Sequence, residues 1–411
     1  MKFYGFGESS ILNTSIPIEH LDAATICARV KAYKTQDHVN AAKAMVAMSG
    51  GVDSTVAVAL MIANGYHTSG GTLRLRDTHL DFENGKKSCC SQKDIDDAGA
   101  MCKRLGVTHH VLDRLTHFES DVILPFIEAY QAGATPNPCV DCNRRIKFKT
   151  FFEESKSLGF DYLATGHYAR VKFDPERNRY LLLKGKTVEK DQSYVLYTLS
   201  QAQLARLRFP CGEYSKTEIR EIARALGLSV ADKPDSQDIC FIPSGDYHQF
   251  MHDYASQAKA PMTIEENGEF IDLKTGQSYG LHKGFSAYTI GQRKGLGIAA
   301  GRPVYVVDKD PRTKTVYLGD ESDLWQTTLE ADQTNWILFD RLEAPYSCTA
   351  KIRYGLKETA CTIEPLSNDR IRVTFAEPIR AITKGQSIVF YNDEYVVGGG
   401  KIATQGVGSC R

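Results

Sequence analysis

From about residue 44 the apolar and polar positions switch repeatedly between two periods. Ala44-Met45-Val46-Ala47-Met48 is a short apolar run that predicts a buried strand. Thr55 to Ala63 then predicts a helix, with Gly65 just past its end. GGTLRLRD (70 to 77) predicts the next strand. Ser91 and Asp94 stand at capping-box spacing. Behind them Ile95, Ala98, Cys102 and Leu105 share one helical face, and Gly106 stops it. VTHHVLD (107 to 113) and the start of FDYLATGHYAR (160 to 170) are strands again, the latter ending in a glycine turn. A further helix is marked by Ser215 and Glu218 at capping-box spacing, with Ile219, Ile222, Ala223 and Leu226 on its face and Gly227 at its end. Repeated β-α-β units imply a parallel sheet with right-handed crossovers. Ligands on such sheets sit beyond the carboxyl ends of strands. Ser49 to Ser54 and Thr165 to His167 both fall at such ends.

After about residue 245 the texture changes. PVYVVDKD, KTVYLG, ACTIEPL, RIRVTF, QSIVFY and EYVVGGG are short β-like runs broken by Gly, Pro, Asn and Asp. They predict small β domains. Residues 1 to about 40 carry no strong pattern and are expected to be an extension.

The chain has 411 residues, long for one core, so two or three domains are expected. It has no apolar stretch of about 18 residues. Glu8, Glu19 and Asp22 interrupt the N-terminus, which lacks the apolar core of a signal peptide. A cytoplasmic protein without membrane contact is the expectation. Formal net charge is zero, which by itself does not point to nucleic acid but can conceal a local basic patch. The eleven cysteines are odd in number, and the chain is large. Metal, redox or sulfur chemistry is a better reading for some of them than a disulfide scaffold. Cys27, Cys102, Cys211, Cys348, Cys361 and Cys410 stand alone and read as small buried hydrophobes.

Ser49-Gly50-Gly51-Val52-Asp53-Ser54 between a strand and a helix offers backbone N–H groups, two hydroxyls and a helix N-terminus to an anion. No lysine follows the glycines, unlike a Walker loop, whose lysine suits terminal phosphoryl transfer. Asp53 would repel phosphate unless a cation lay between them, so Mg²⁺ is implied. Such a loop can grip the β- and γ-phosphates of ATP while attack falls on the α-phosphorus, giving an adenylate and pyrophosphate. The plain alternative is a glycine turn joining strand to helix.

SGGVDS resembles the PP-loop of the N-type ATP pyrophosphatases. TPNPCVDCNRRIKF (135 to 148), ATGHYAR (164 to 170), KDQSYVLY (190 to 197), DSQDICFI (235 to 242), YTIGQRKGLGI (288 to 298), IRY (352 to 354) and KGQSIVFY (384 to 391) follow. Together they resemble the tRNA-specific 2-thiouridylase family (MnmA), from about residue 44 to the C-terminus. The resemblance implies an α/β chain in which a parallel-sheet PP-loop adenylating domain is followed by a small central domain and a C-terminal β-barrel-like domain. The expected boundaries are 1–40 (unassigned extension), 41–245, 246–325 and 326–411. It implies ATP-dependent adenylation of the C2 carbonyl of wobble uridine 34, then sulfur transfer to give 2-thiouridine. By motif, Ala47, Met48, Ser49, Gly50, Gly51, Val52, Asp53 and Ser54 would bind ATP, with Leu73 and Gly166. Asn137, Pro138, His167, Lys190, Asp191, Gln192, Arg353, Tyr354 and Gln386 would contact tRNA. GQRKGLG (291 to 297) would touch backbone phosphate or be a solvated turn.

The resemblance makes Cys240 the persulfide carrier and Cys142 its partner nucleophile, leaving a Cys142–Cys240 disulfide after transfer. Arg144, Arg145 and Lys147 are close in sequence and would favour a thiolate. Some members carry Asp where this chain has Cys139. Cys139, Cys142 and Cys240 could instead ligate three irons of a [4Fe–4S] cluster whose open iron holds hydrosulfide. Structural zinc, with Cys89 or Cys90 as extra ligands, is a third use. Expected partners are tRNAs of the Lys, Glu and Gln types and a cysteine desulfurase or sulfur-relay protein. The rival readings are another PP-loop ligase, which would need an ammonia source, and an RNA-binding protein with an inactive ATP site.

Overall fold

A computed structural model of the chain describes residues 17–36, 38, 40–75, 92–234, 239–242, 244–257, 267–367 and 369–405. Ser91, Cys89, Cys90, Cys410 and the segment 235–238 before Cys240 lie outside the described residues.

Five parallel strands form the first sheet: β1 Lys43–Ala47, β2 His67–Arg74, β3 His109–Asp113, β4 Tyr162–Thr165 and β7 Leu207–Arg208, in the order β3-β2-β1-β4-β7. The order reverses between β1 and β4, where a doubly wound sheet opens a crevice. After Lys43, β1 is apolar because helices cover both faces, and Ala44, Met45 and Val46 are wholly buried. From Val56 the helix Val52–Ala63 is apolar all round, and every residue of it but Asp53 is buried. It packs with helices Gln92–Leu105 and Lys216–Ala225 on one face of the sheet. Ser215 and Glu218 form the expected capping box.

The N-terminal extension corrects the sequence reading. Ala23–Tyr33 is a helix, capped by the Asp22 carboxylate, which accepts from Thr25 N–H at 2.8 Å. It buries Ile26, Val30 and Tyr33 against the helix Val52–Ala63. The signal was an Asp cap and a three-residue stripe, too short to stand out from its polar surroundings. The buried Tyr33 hydroxyl ties it to β2 through Thr68.

The central domain is a four-stranded sheet, β10-β11-β8-β9, built from β8 Gly268–Asp272, β9 Ser278–His282, β10 Tyr305–Asp310 and β11 Thr315–Gly319. The last domain is a closed six-stranded barrel: β12 Trp325–Trp336, β15 Ile371–Arg380, β14 Thr359–Pro365, β13 Tyr346–Lys351, β16 Ser387–Asn392 and β17 Tyr395–Gln405, with β12 pairing back onto β17. Of the β-like runs of the sequence, PVYVVDKD and KTVYLG are β10 and β11 of the central sheet, and the other four are strands of the barrel. The α/β domain adds a hairpin, β5 Ala169–Asp174 and β6 Arg179–Lys184, whose second strand joins β17 through Leu183 and Tyr395. The α/β domain and the barrel therefore share one sheet.

Candidate active site

Strand register assembles the site. Ala47, the last residue of β1, lies opposite Gly71 of β2 and Thr165 of β4. The loop after β1 and the glycine turn after β4 thus meet at the switch point.

The loop is braced by local hydrogen bonds. The Ser54 hydroxyl accepts from Ser49 N–H at 3.2 Å and lies 3.3 Å from the Ser49 hydroxyl. Gly50 has φ +69°, and a Cβ there would sit 2.6 Å from the Asp94 carbonyl. Lys233, paired with Asp94 and Asp97, donates to the Gly50 carbonyl at 2.8 Å. Gly51 is the N-cap of the helix. Val52, expected to meet ATP, turns its side chain into the core and is 3 % exposed. From below, Cys211 donates to the Asp53 carbonyl at 3.4 Å. Burial, and then the Asp53 carboxylate, push that thiol well up, so it stays a protonated support.

Asp53 is not a bare carboxylate. Lys216 Nζ stands 2.7 and 2.8 Å from its two oxygens, and the Tyr168 hydroxyl donates to it at 2.7 Å. Lys216 begins a helix far along the chain, so the cation absent from the loop's sequence is supplied by the fold. This removes the argument from Asp53 to a metal ion. Sequence reasoning missed Lys216 because a lysine in the first turn of a capped helix is an ordinary surface residue.

A cleft of about 210 Å³ lies over the loop, lined by Ala47, Met48, Ser49, Asp53, Ser54, Leu73, Gly166, His167 and Gln192 among the expected residues. Gly71, Leu75, Lys147, Phe151 and Thr165 complete its wall. Gly166 cannot carry a side chain here: a Cβ would come within 2.8 Å of the Asp53 carbonyl carbon and 2.9 Å of Ser54 N. The His167 ring stands between Phe148 and Phe209, with Nδ1 2.7 Å from Thr165 Oγ1. Burial, and then the Lys147 ammonium, hold it well below the usual histidine range, so it is neutral at pH 7.

The Asn137 side chain caps a helical run, accepting from Cys139 N–H at 3.2 Å and Val140 N–H at 3.4 Å. Pro138 is buried at its first position. Cys139 is exposed, and Cys142 and Cys240 are half-buried. The last two pack against the same apolar cluster. Among the described residues no three His, Cys, Asp or Glu side chains gather where they could hold a metal ion. Cys139, Cys142 and Cys240 as placed are therefore not gathered as ligands of one metal group, and Cys89 and Cys90, the further zinc ligands expected, lie outside the described residues. Arg144 pairs with Asp141, and Arg145 faces Asp141 and Asp121, so both are engaged by carboxylates. Lys147 faces the cleft.

The residues expected to meet tRNA separate into two groups. Tyr354 is 46 % exposed, Lys190 is half-exposed beside the cleft residue Gln192, and Arg293 and Lys294 are exposed in their glycine turn. Asp191 differs: its buried carboxylate accepts from Gly185 N–H, Ser193 N–H and the Ser193 hydroxyl, and faces Lys351 at 3.8 Å. It holds the junction between the α/β domain and the barrel, and its side chain is not on the surface. Arg353 donates to the Ala381 carbonyl and Thr383 hydroxyl, both at 2.7 Å. Gln386 donates to the Thr135 and Pro136 carbonyls at 2.9 and 3.3 Å, clamping the strand of chain that leads to Asn137 and Cys139.

Residues 42–244 match the family described as tRNA methyl transferase HUP domain. Residues 260–320 match the tRNA methyl transferase PRC-barrel domain, and 326–402 the aminomethyltransferase beta-barrel domain. Among curated proteins, the chain is similar to a tRNA-specific 2-thiouridylase of Clostridium botulinum, 44% identical over 360 residues, covering 88% of this chain and 97% of that protein. A relative of the same name from Acetivibrio thermocellus is 45% identical over 88% of this chain and 99% of its own length. One from Moorella thermoacetica is 47% identical over 87% of this chain and 98% of its own.

Proposed function

The chain belongs to the tRNA-specific 2-thiouridylase family, and from that membership we propose how its own residues adenylate and thiolate tRNA uridine. The observation that carries the reading is the single cleft lined at once by Ser49, Asp53 and Ser54 of the loop, Gly166 and His167 of the turn after β4, and Lys147 of the cysteine-bearing helical run. ATP enters with magnesium as its counter-ion. Loop N–H groups, the Ser49 and Ser54 hydroxyls and the helix N-terminus bind its β- and γ-phosphates. Lys216 offsets the Asp53 charge, so the phosphates approach a neutral pair. Leu73 and Phe151 line the apolar wall against which adenine packs.

The uracil C2 oxygen attacks the α-phosphorus, and pyrophosphate leaves. Lys147 stabilises the charge that develops there. Neutral His167 positions the flipped base by hydrogen bonding without adding a second cation. Cys240 carries a persulfide, whose terminal sulfur attacks C2. The Cys142 thiolate attacks Cys240 Sγ, breaking the S–S bond. AMP leaves, sulfur stays on C2, and a Cys142–Cys240 disulfide remains for a thiol reductant. In this reading the substrates are tRNAs of the Lys, Glu and Gln types in the cytoplasm. A cysteine desulfurase or relay protein loads Cys240. Asn137 and Gln386 set the cysteine run in place.

The test is thiolation of unmodified tRNA with ATP, magnesium and a persulfide donor, alongside tRNA-dependent AMP and pyrophosphate release. Cys240→Ser should abolish thiolation and keep uridine adenylation. Retained thiolation in that variant would overturn the persulfide assignment without touching the adenylation step.

A further inference from the structure

Cys348 and Cys361 are distant from the loop in sequence and play no part in the chemistry above. They occupy directly opposed positions on the antiparallel strands β13 and β14. Their sulfurs lie 3.7 Å apart. Cys361 is 5 % exposed and packs in the barrel core, while Cys348 is half-exposed. A cysteine whose only role is to fill space needs no second thiol in contact with it. Here two thiols meet on one face, Cys361 buried and Cys348 partly exposed.

Directly opposed residues of an antiparallel pair have Cα atoms about 4.5–5.5 Å apart. That range falls within the roughly 4.4–6.8 Å that a disulfide requires. The sulfurs need to close by less than about 2 Å, which side-chain rotation supplies without moving the strands. We propose that Cys348 and Cys361 form a dithiol modification site that a low-molecular-weight disulfide oxidises to a cross-strand disulfide.

The steps balance. The more accessible Cys348 loses its proton and attacks one sulfur of the small disulfide. One equivalent of small thiol departs with that proton, leaving a mixed disulfide on Cys348. Cys361 then loses its proton and attacks Cys348 Sγ, expelling the second small thiol. Two electrons pass from the protein to the oxidant, and two protons end on the departing thiols. The Cys361 thiol beside it, and then burial, push the Cys348 thiol up, so little of it is thiolate and its attack on the oxidant is slow. The bridge staples the hairpin whose connecting loop carries Arg353 and Tyr354. Arg353 already anchors one side of that loop to Ala381 and Thr383. This inference stands on the barrel geometry and is independent of the chemistry proposed for Cys142 and Cys240.

The experiment uses the full chain with Cys142→Ser and Cys240→Ser, so that the two cysteines of the cleft do not compete. Reduced protein is treated with glutathione disulfide, remaining thiols are alkylated, and the unreduced digest is mapped by mass. The expected product is the Cys348 peptide joined to the Cys361 peptide, two hydrogens lighter than the pair and separated by dithiothreitol. The thermal unfolding midpoint should rise on oxidation and return on reduction. Recovery of both peptides alkylated would overturn the proposal. So would glutathione retained on Cys348 with Cys361 alkylated, because the second thiol would then have failed to resolve the first.

Discussion

Lys216 Nζ lies 2.7 and 2.8 Å from the two carboxylate oxygens of Asp53, joining residues separated by 163 positions in sequence. The lysine side chain is 14 % exposed and the aspartate 32 %, so the pair is shielded but not sealed. It places a positive charge beside a loop whose own sequence contains none.

Lys216→Met should weaken ATP binding about 10- to 100-fold, the effect of losing a hydrogen bond to a charged group worth about 1.5–3 kcal/mol. Calorimetric titration with ATP measures it, and Lys216→Arg should restore part of the affinity. Wild-type affinity in a folded Lys216→Met protein would reduce Lys216 to a structural clip on Asp53.

Gly166→Ala should act through sterics alone. The new methyl meets Asp53 and Ser54 backbone atoms below 3.0 Å, pushing the helix start away from the phosphates. Overpacking of this kind costs about 1–3 kcal/mol. Gly355, where an added Cβ would meet no atom within 4 Å, is the control. Denaturant titration should find Gly166→Ala destabilised and Gly355→Ala close to wild type.

Gln386→Ala should separate positioning from tRNA affinity. Its amide holds the Thr135 and Pro136 carbonyls. Losing the clamp should lower kcat for thiolation several-fold while ATP binding is unchanged. A rise in KM for tRNA that deepens with salt, at constant kcat, would assign it to RNA contact instead.

Acid should destabilise the fold through histidines held neutral. Burial lowers His167, and also His67, His109 and His282. Below about pH 6.5 the unfolded chain binds protons that the folded one refuses. Stability is therefore full above that pH and falls as pH drops through the window below it. His167→Gln should remove up to about 1.4 kcal/mol per pH unit from that slope. An unchanged slope between pH 6.5 and 5 would mean that His167 titrates alike in both states.

The sequence by itself determined the alternation of strands and helices, the loop Ser49–Ser54 and the β runs of the barrel. Those features are local: apolar period, glycine position and cap spacing are set by near neighbours along the chain. Tertiary structure alone decided that Ala47 meets Thr165, that Lys216 answers Asp53, and that the hairpin β5–β6 extends the barrel sheet. It also took Asp191 into the interior, turned Val52 into the core, and set Cys348 against Cys361. Each joins residues far apart in sequence, where register and packing choose the partner. A residue's chemistry says what it can pair with, while the fold says which partner is within reach.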